Sequence, residues 1–453
     1  MTRSIEIDNL EIPPLAGLCD YDEAAQPGLS VEATVGFLKR FAYVTGRLTK
    51  LLAAHLPRTP EWEVKCALGL HLWLDAEHAS MLRKRVAEMR QPPLGLDKVP
   101  DTRLEGWLDE AIRPEETVEL VAGVYRVIRP ELIRSIDRFL AASNPLLDYP
   151  TRRIFRLIRQ EEEEMIAWGE RALTALTRST EASVRANAWI AHLDAYRGAS
   201  TGVFADELAP SARPLPGSRS DGQPYQMDAA PRRDERFIDP FNRAAAFGAH
   251  YKDESRPLTE RVMALMAKRL MEMDVPEWMA PIVVRTEGKP WDYYVEMSRQ
   301  LWDEVRHAMM GEVGFVRQGI PFYRYPVNLA ASHTLNADFT PMEAHAILWA
   351  IEQSLMARNT GKGYEWDLAV ASGDDFATSM QDFDWADEVL HAQIGRRWLI
   401  PEVGSQAKLR DYAAGVVERW VRALEATAAA SPQEDWWPRL QADIEEREAR
   451  SEE

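Results

Sequence analysis

Two stretches of this chain place a glutamate three residues ahead of a histidine. They are WDEVRHAMM at 302–310, with Glu304 and His307, and WADEVLHAQIGRRWL at 385–399, with Glu388 and His391. On a helix, residues i and i+3 share one face, one turn apart. Two such pairs on two helices supply both histidines and two of the four carboxylates of a dinuclear carboxylate site in a four-helix bundle. Two more helices must then add one glutamate each. PMEAHAILWAIEQSLMARN offers Glu343 and Glu352. Glu343 falls in the first turn, where an acid complements the helix dipole, and His345 reads as a surface or supporting residue. Glu352 follows the apolar run AILWAI and is expected to face inward. LTERVMALMAKRLMEMD offers Glu260 and Glu272. Glu304 lies roughly fourteen residues into its helix, about 20 Å from the start, so an antiparallel neighbour should contribute a residue a similar distance before its own end. That selects Glu260, with Glu272 as the alternative because the 275–289 loop is long enough to shift the estimate.

Glu260, Glu304, Glu352 and Glu388 with His307 and His391 form a consistent ligand set. Four carboxylates neutralise two divalent cations, so the buried cluster carries little net charge. Carboxylate and imidazole suit iron or manganese, and an open coordination position leaves room for dioxygen or peroxide. Glu304, Glu352 and Glu388 are the expected catalytic carboxylates. Each histidine should pass its other ring proton to an acceptor, and Asp303 and Asp387 adjoin the ligands. With 9 His and 72 Asp plus Glu among 453 residues, one such pair can arise by chance. Context carries more: both pairs sit mid-helix among apolar residues, where a solitary charge is costly to bury.

The elements that must position these residues are helices. Apolar residues recur at helical spacing almost everywhere, and strand alternation is confined to short pieces such as PIVV at 281–284. The expected fold class is all-α. Helices are expected near 31–56, 60–90, 114–142, 150–177, 181–197, 257–274, 290–317, 341–359, 373–399 and 406–429. The expected divisions are an arm at 1–30, a helical bundle at 31–197, a Gly/Pro/Ser-rich excursion at 198–256, a metal-binding bundle at 257–400, and a last helix with an acidic tail at 401–453. The halves echo each other. RTPEW at 58–62 answers DVPEW at 274–278, and LDAEHASML answers WDEVRHAMM, setting Asp75 and His78 opposite Glu304 and His307. With Gly169 under Gly395, Met165 stands where His391 does and Glu162 where Glu388 does. Asp75 and His78 alone cannot hold two metals, so the first half is expected to be a degenerate bundle serving structure, substrate enclosure or dimerisation, the alternative being a second functional metal site.

A net charge of −18 argues against a nucleic-acid partner. No stretch has the apolar length of a membrane span, and the start has no apolar signal core. Two cysteines far apart, Cys19 and Cys66, give no disulfide framework, so the cytoplasm is the expected location. Charge and size are compatible with a homodimer.

The C-terminal half resembles the ferritin-like diiron carboxylate superfamily. Within it, the likeness is to bacterial ferritin-like proteins of unknown function akin to the tRNA-modifying diiron hydroxylases. It rests on Gly373-Asp374, Asp387-Glu388-x-x-His391, Gly395 and Arg397-Trp398, together with Asp303-Glu304-x-x-His307. It covers about 257–400. The resemblance implies two irons, with dioxygen as co-substrate; with the internal repeat, the expected fold is two ferritin-like four-helix units in tandem, the first degenerate and the second carrying the metal site. The acidic charge, the duplicated half and an insertion at 279–289 depart from that pattern and favour a small organic substrate over tRNA. Turnover would draw on an external electron donor or reductase, since no flavin or iron–sulfur motif is visible. The competing expectations are a peroxide-handling dimanganese or diiron protein, catalase-like, and a non-catalytic helical interaction protein.

Overall fold

The computed structural model describes residues 12–200, 202–204, 215–244, 247 and 250–452. The start of the expected arm and parts of the 198–256 excursion lie outside the described residues. Among the described residues the chain is all-helical, with no strand. The first helices are α1 (Tyr21–Ala24), α2 (Val31–His55), α3 (Trp62–Met89), α4 (Thr102–Ala111) and α5 (Thr117–Gly123). A π-helical turn, Val124–Ile128, joins α5 to α6 (Arg129–Ala142), followed by α7 (Tyr149–Leu176) and α8 (Thr180–Ala199). The later helices are α9 (Leu258–Met271), α10 (Asp274–Arg285), α11 (Trp291–Arg317), α12 (Ala330–Asp338), α13 (Pro341–Leu355) and α14 (Lys362–Ser372). The last are α15 (Asp375–Val403), α16 (Gln406–Ala429) and α17 (Trp437–Glu452). Among the described residues no helix is long and apolar enough to cross a membrane.

The chain divides into two compact units, and the division is not sequential. The first holds Met1–Arg47 and Glu77–Tyr225; the second holds Leu48–Ala76 and Gln226–Glu453. The expected boundary after residue 197 therefore misses that 48–76 packs with the later helices. Gly69 shows why: a Cβ there would lie 2.7 Å from a methyl of Val305 on α11. The core of the first unit includes stacked and tilted phenylalanines, with Phe37, Phe139 and Phe155 at centroid distances of 4.9–5.1 Å.

In the second unit, close helix contacts set the register of the site. Gly311 of α11 lets the backbone of α9 approach: a Cβ there would meet Leu270 N at 2.4 Å and Met266 O at 2.7 Å. Gly395 of α15 accepts Trp349 of α13, whose Cδ1 would lie 2.5 Å from an added Cβ. Caps fix the helix starts. Thr340 and Glu343 form a reciprocal capping box on α13, and Asp374 caps α15 by accepting from the amides of Phe376 and Ala377. Gly373, at φ 71°, ends α14 in the left-handed region and turns the chain into that cap.

The expected loop at 275–289 is mostly α10. Pro276 and Pro281 hid it, because proline inside a helix removes a donor. The carbonyl of Glu277 that Pro281 cannot serve accepts instead from Asn336 Nδ2 at 3.1 Å. The acidic tail also proves helical, as α17.

Candidate metal centre

Four helices of the second unit bring carboxylates and imidazoles to one buried point. Glu272 caps the end of α9. Glu304 and His307 come from α11, Glu352 from α13, and Asp384, Glu388 and His391 from α15. Glu304, His307, Glu352, Glu388 and His391 are each at most 3 % exposed. Ligand atoms of Glu304, Glu352, Glu388 and His391 lie within 4.8 Å of one another, and those of Glu272, Glu304 and His307 do likewise. Glu304 belongs to both groups. Its Oε1 is 3.2 Å from His391 Nδ1 and its Oε2 is 3.7 Å from His307 Nδ1.

Five of the six expected ligands are therefore assembled; Glu260 is not. Its carboxylate accepts from Arg256 at 3.3 Å and Gln441 at 3.2 Å. It lies twelve residues before Glu272, roughly 18 Å along a helix. Glu272 takes its place, with Oε2 3.4 Å from His307 Nδ1. The hairpin estimate failed because α10 carries the chain onward from α9, so the end of α9, not its start, meets the middle of α11. His345, expected at the surface or as support, is fully buried, and burial with the nearby Lys289 pushes its imidazole down to about 3.

The orientation of the histidines is set by crossed contacts. His307 Nε2 pairs with Asp387 of α15 at 3.2 Å, and His391 Nε2 pairs with Asp303 of α11 at 3.4 Å. Arg306 donates to both aspartates, and Arg299 Nε reaches Asp303 at 2.9 Å. In a neutral imidazole, a ring nitrogen that donates to a carboxylate leaves the other as a lone pair. Both Nδ1 atoms then face carboxylate oxygens: His307 Nδ1 has Glu272 and Asp384 at 3.4 Å, and His391 Nδ1 has Glu388 at 3.5 Å. These nitrogens, with Glu272 Oε2, Glu304 Oε1 and Glu388 Oε2, have no hydrogen-bond partner although buried. Buried polar atoms without partners are rare and costly, and these groups could hold a metal ion between them.

The electrostatics agree. Burial pushes the His391 imidazole down, and Asp303, Glu304 and Glu388 reverse this, holding it well above its usual range. For His307 the same reversal comes from Asp384, Asp387, Glu272 and Glu304. Burial, with Glu388 and Glu304 beside it, raises the Glu352 carboxyl well above the ordinary value. Burial also opposes ionisation of Glu388, but Lys362 overrides it and holds that carboxyl well below. Positive charge is favoured at both Nδ1 positions, whether supplied by protons or by metal ions.

Three participants were not foreseen. Asp384 precedes Glu388 by one turn on α15, a spacing that could have flagged it. Lys362 Nζ lies 2.7 Å from Asp384 Oδ1 and 2.7 Å from Glu388 Oε1. Arg269 of α9 bonds Asp384 and holds Glu272 Oε1 at 3.0 Å. In the first unit, His78 Nε2 meets Glu161 at 2.6 Å, while Arg129 Nη1 donates to Glu162 at 3.0 Å. No family model, curated protein or solved structure matches this chain.

Proposed function

We propose that the second unit is a ferritin-like bundle holding a dinuclear metal centre, with iron as the working metal and manganese as the alternative, and that the protein is an oxygenase or oxidase acting on a small organic substrate. The observation that carries this is the convergence of two imidazole lone pairs and three unpartnered carboxylate oxygens about one shared glutamate, Glu304. The donor set fits the group: oxygen and imidazole ligands suit iron and manganese, and the crossed aspartates supply the outer contacts such histidines need. A bound iron pair would supply reductive activation of dioxygen at its open positions.

The chain's own residues would do the rest. Glu304 would span the two positions, and His307 and His391 would bind one at each end through Nδ1. Asp387 and Asp303 would fix the tautomers by accepting hydrogen bonds from the two Nε2–H groups. Gln300 Nε2 steadies Glu352 at 3.3 Å. Seven residues before Gln300 on α11, about 10 Å along the helix, Tyr293 lines a cavity of about 240 Å³ with His345, Trp398, Met342 and Lys289. This aromatic cavity is the proposed approach for a small organic molecule. Electrons would come from a separate donor.

The test is anaerobic reconstitution with ferrous iron, followed by dioxygen uptake against an iron-only control. Uptake in proportion to protein-bound iron, abolished in Glu304→Ala, is expected. Uptake no faster than with free iron would count against oxygen chemistry, and selective retention of manganese would favour peroxide chemistry.

A further inference from the structure

The two metal positions are not equivalent, and Lys362 makes the difference. The position beside His391 is offered four ligands: Glu304, Glu352, Glu388 and His391. The position beside His307 is offered Glu272, Glu304 and His307, and it could gain Asp384 and Glu388, whose ligand atoms also come within 4.8 Å of His307's. Those two are taken. The Lys362 ammonium sits 2.7 Å and 2.8 Å from the two oxygens of Asp384 and 2.7 Å from Glu388 Oε1. Lys362 has no exposed surface, and neither has Asp384. Arg269, also fully buried, bonds the same Asp384 oxygen that faces His307. Glu388 is thereby left with Oε2 alone for a metal, and that atom points to His391, 3.5 Å away. The carboxylate that could otherwise bridge is made one-sided.

We propose that Lys362 makes the centre load unequally: the His391 position fills first and tightly, and the His307 position fills second and weakly, as long as the ammonium holds Asp384 and Glu388. This rests on the metal-centre reading above. The buried ammonium repels a second cation, and it occupies the two oxygens that would complete that cation's shell. Outer contacts to metal ligands are worth about ten- to a hundredfold in metal affinity, which sets the size of the effect.

The test is equilibrium dialysis of the metal-free full chain against Mn²⁺, with electron paramagnetic resonance at each stage. The wild type should take up one tight equivalent with an uncoupled Mn²⁺ signal, then a second about ten- to a hundredfold more weakly, with a spin-coupled signal. His391→Ala should remove the tight step, and His307→Ala only the weak one. Lys362→Met should strengthen the weak step until the two merge, while Lys362→Arg should keep them apart. Because Lys362→Met leaves Asp384 short of a partner, Lys362→Met/Asp384→Asn is the companion variant, and it should also narrow the gap by freeing Glu388 Oε1. Two equal equivalents in the wild type, or a gap unchanged in both Met variants, would overturn the inequality and leave a two-metal centre standing. No Mn²⁺ uptake by the wild type would remove the centre itself, and the proposal with it.

Discussion

In the first unit, Glu162 on α7 accepts from Arg129 at 3.0 Å through Oε2 and keeps Oε1 without a hydrogen bond, 3.7 Å from His78 Nδ1; in the second, Glu388 on α15 holds Lys362 at 2.7 Å through Oε1 and keeps Oε2 without a hydrogen bond, 3.5 Å from His391 Nδ1. The surroundings of the two glutamates correspond closely. Gly169, seven residues after Glu162, accommodates Tyr125, whose ring would stand 2.2 Å from an added Cβ, just as Gly395, seven after Glu388, accommodates Trp349. Arg129 follows Tyr125 by four residues, and Glu352 follows Trp349 by three. The π-helical turn at Val124–Ile128 precedes Arg129, which reaches Glu162. Where the second unit sets a carboxylate and a histidine, the first sets an arginine and, at Met165, a thioether. Each glutamate gives one oxygen to a fixed side-chain cation, Arg129 or Lys362. What differs is the company of the other oxygen: His78 faces that of Glu162, whereas ligand atoms of Glu304, Glu352 and His391 gather about Glu388. The difference teaches that the number of carboxylates and imidazoles gathered at one point, more than a single unsatisfied oxygen or acid–histidine spacing, marks a candidate metal position.

The comparison is broken most severely by removing the fixed cation. Arg129→Met leaves Glu162 buried without its guanidinium, beside His78 at 3.7 Å, and should cost about 3–5 kcal/mol, read as a lowered denaturation midpoint, with metal content per folded molecule unchanged. Loss of metal in that variant would show that the first unit contributes to the centre. Next comes Asp303→Asn, which should weaken metal binding about ten- to a hundredfold by loosening His391; affinity equal to wild type would mean that the crossed contact does not orient the ligand. The glycine pair sharpens the contrast. Gly169→Ala and Gly395→Ala should each lose about 1–3 kcal/mol through overpacking, but only Gly395→Ala should also lower metal affinity, because Trp349 lies one turn from Glu352. Equal effects on metal binding would erase the distinction. The smallest effect is expected of Glu260→Gln, which should leave metal stoichiometry untouched while Glu272→Gln removes the second equivalent.

Much of this was legible in the sequence. The helical class and most helix bounds followed from apolar spacing, because burial of one face is what stabilises these helices. Glu304, His307, Glu388 and His391 were legible because i, i+3 spacing fixes a shared face whatever the tertiary arrangement. Glu352 was legible from its apolar neighbours. Glu272 was not chosen over Glu260, since that choice depends on where α9 ends, and Pro276 and Pro281 concealed the helix that follows. Lys362 was hidden for a related reason. It opens α14, which lies between Gly361 and Gly373, where glycine suggests a loop. Its contacts to Asp384 and Glu388 are set by the packing of α14 against α15, which no local pattern encodes. The split of α2 and α3 between the two units is likewise a property of long-range contacts such as Gly69 against Val305.

The central claim is that the second unit binds two metal ions through His307, His391 and the glutamates around Glu304. The most direct measurement is metal content of the purified protein, grown with iron and manganese supplied, beside the His307→Ala/His391→Ala variant. Two equivalents at saturation in the wild type and none in the variant is the expected result. A folded wild-type protein that retains no metal under any loading condition, or a double variant that retains as much as the wild type, would contradict it.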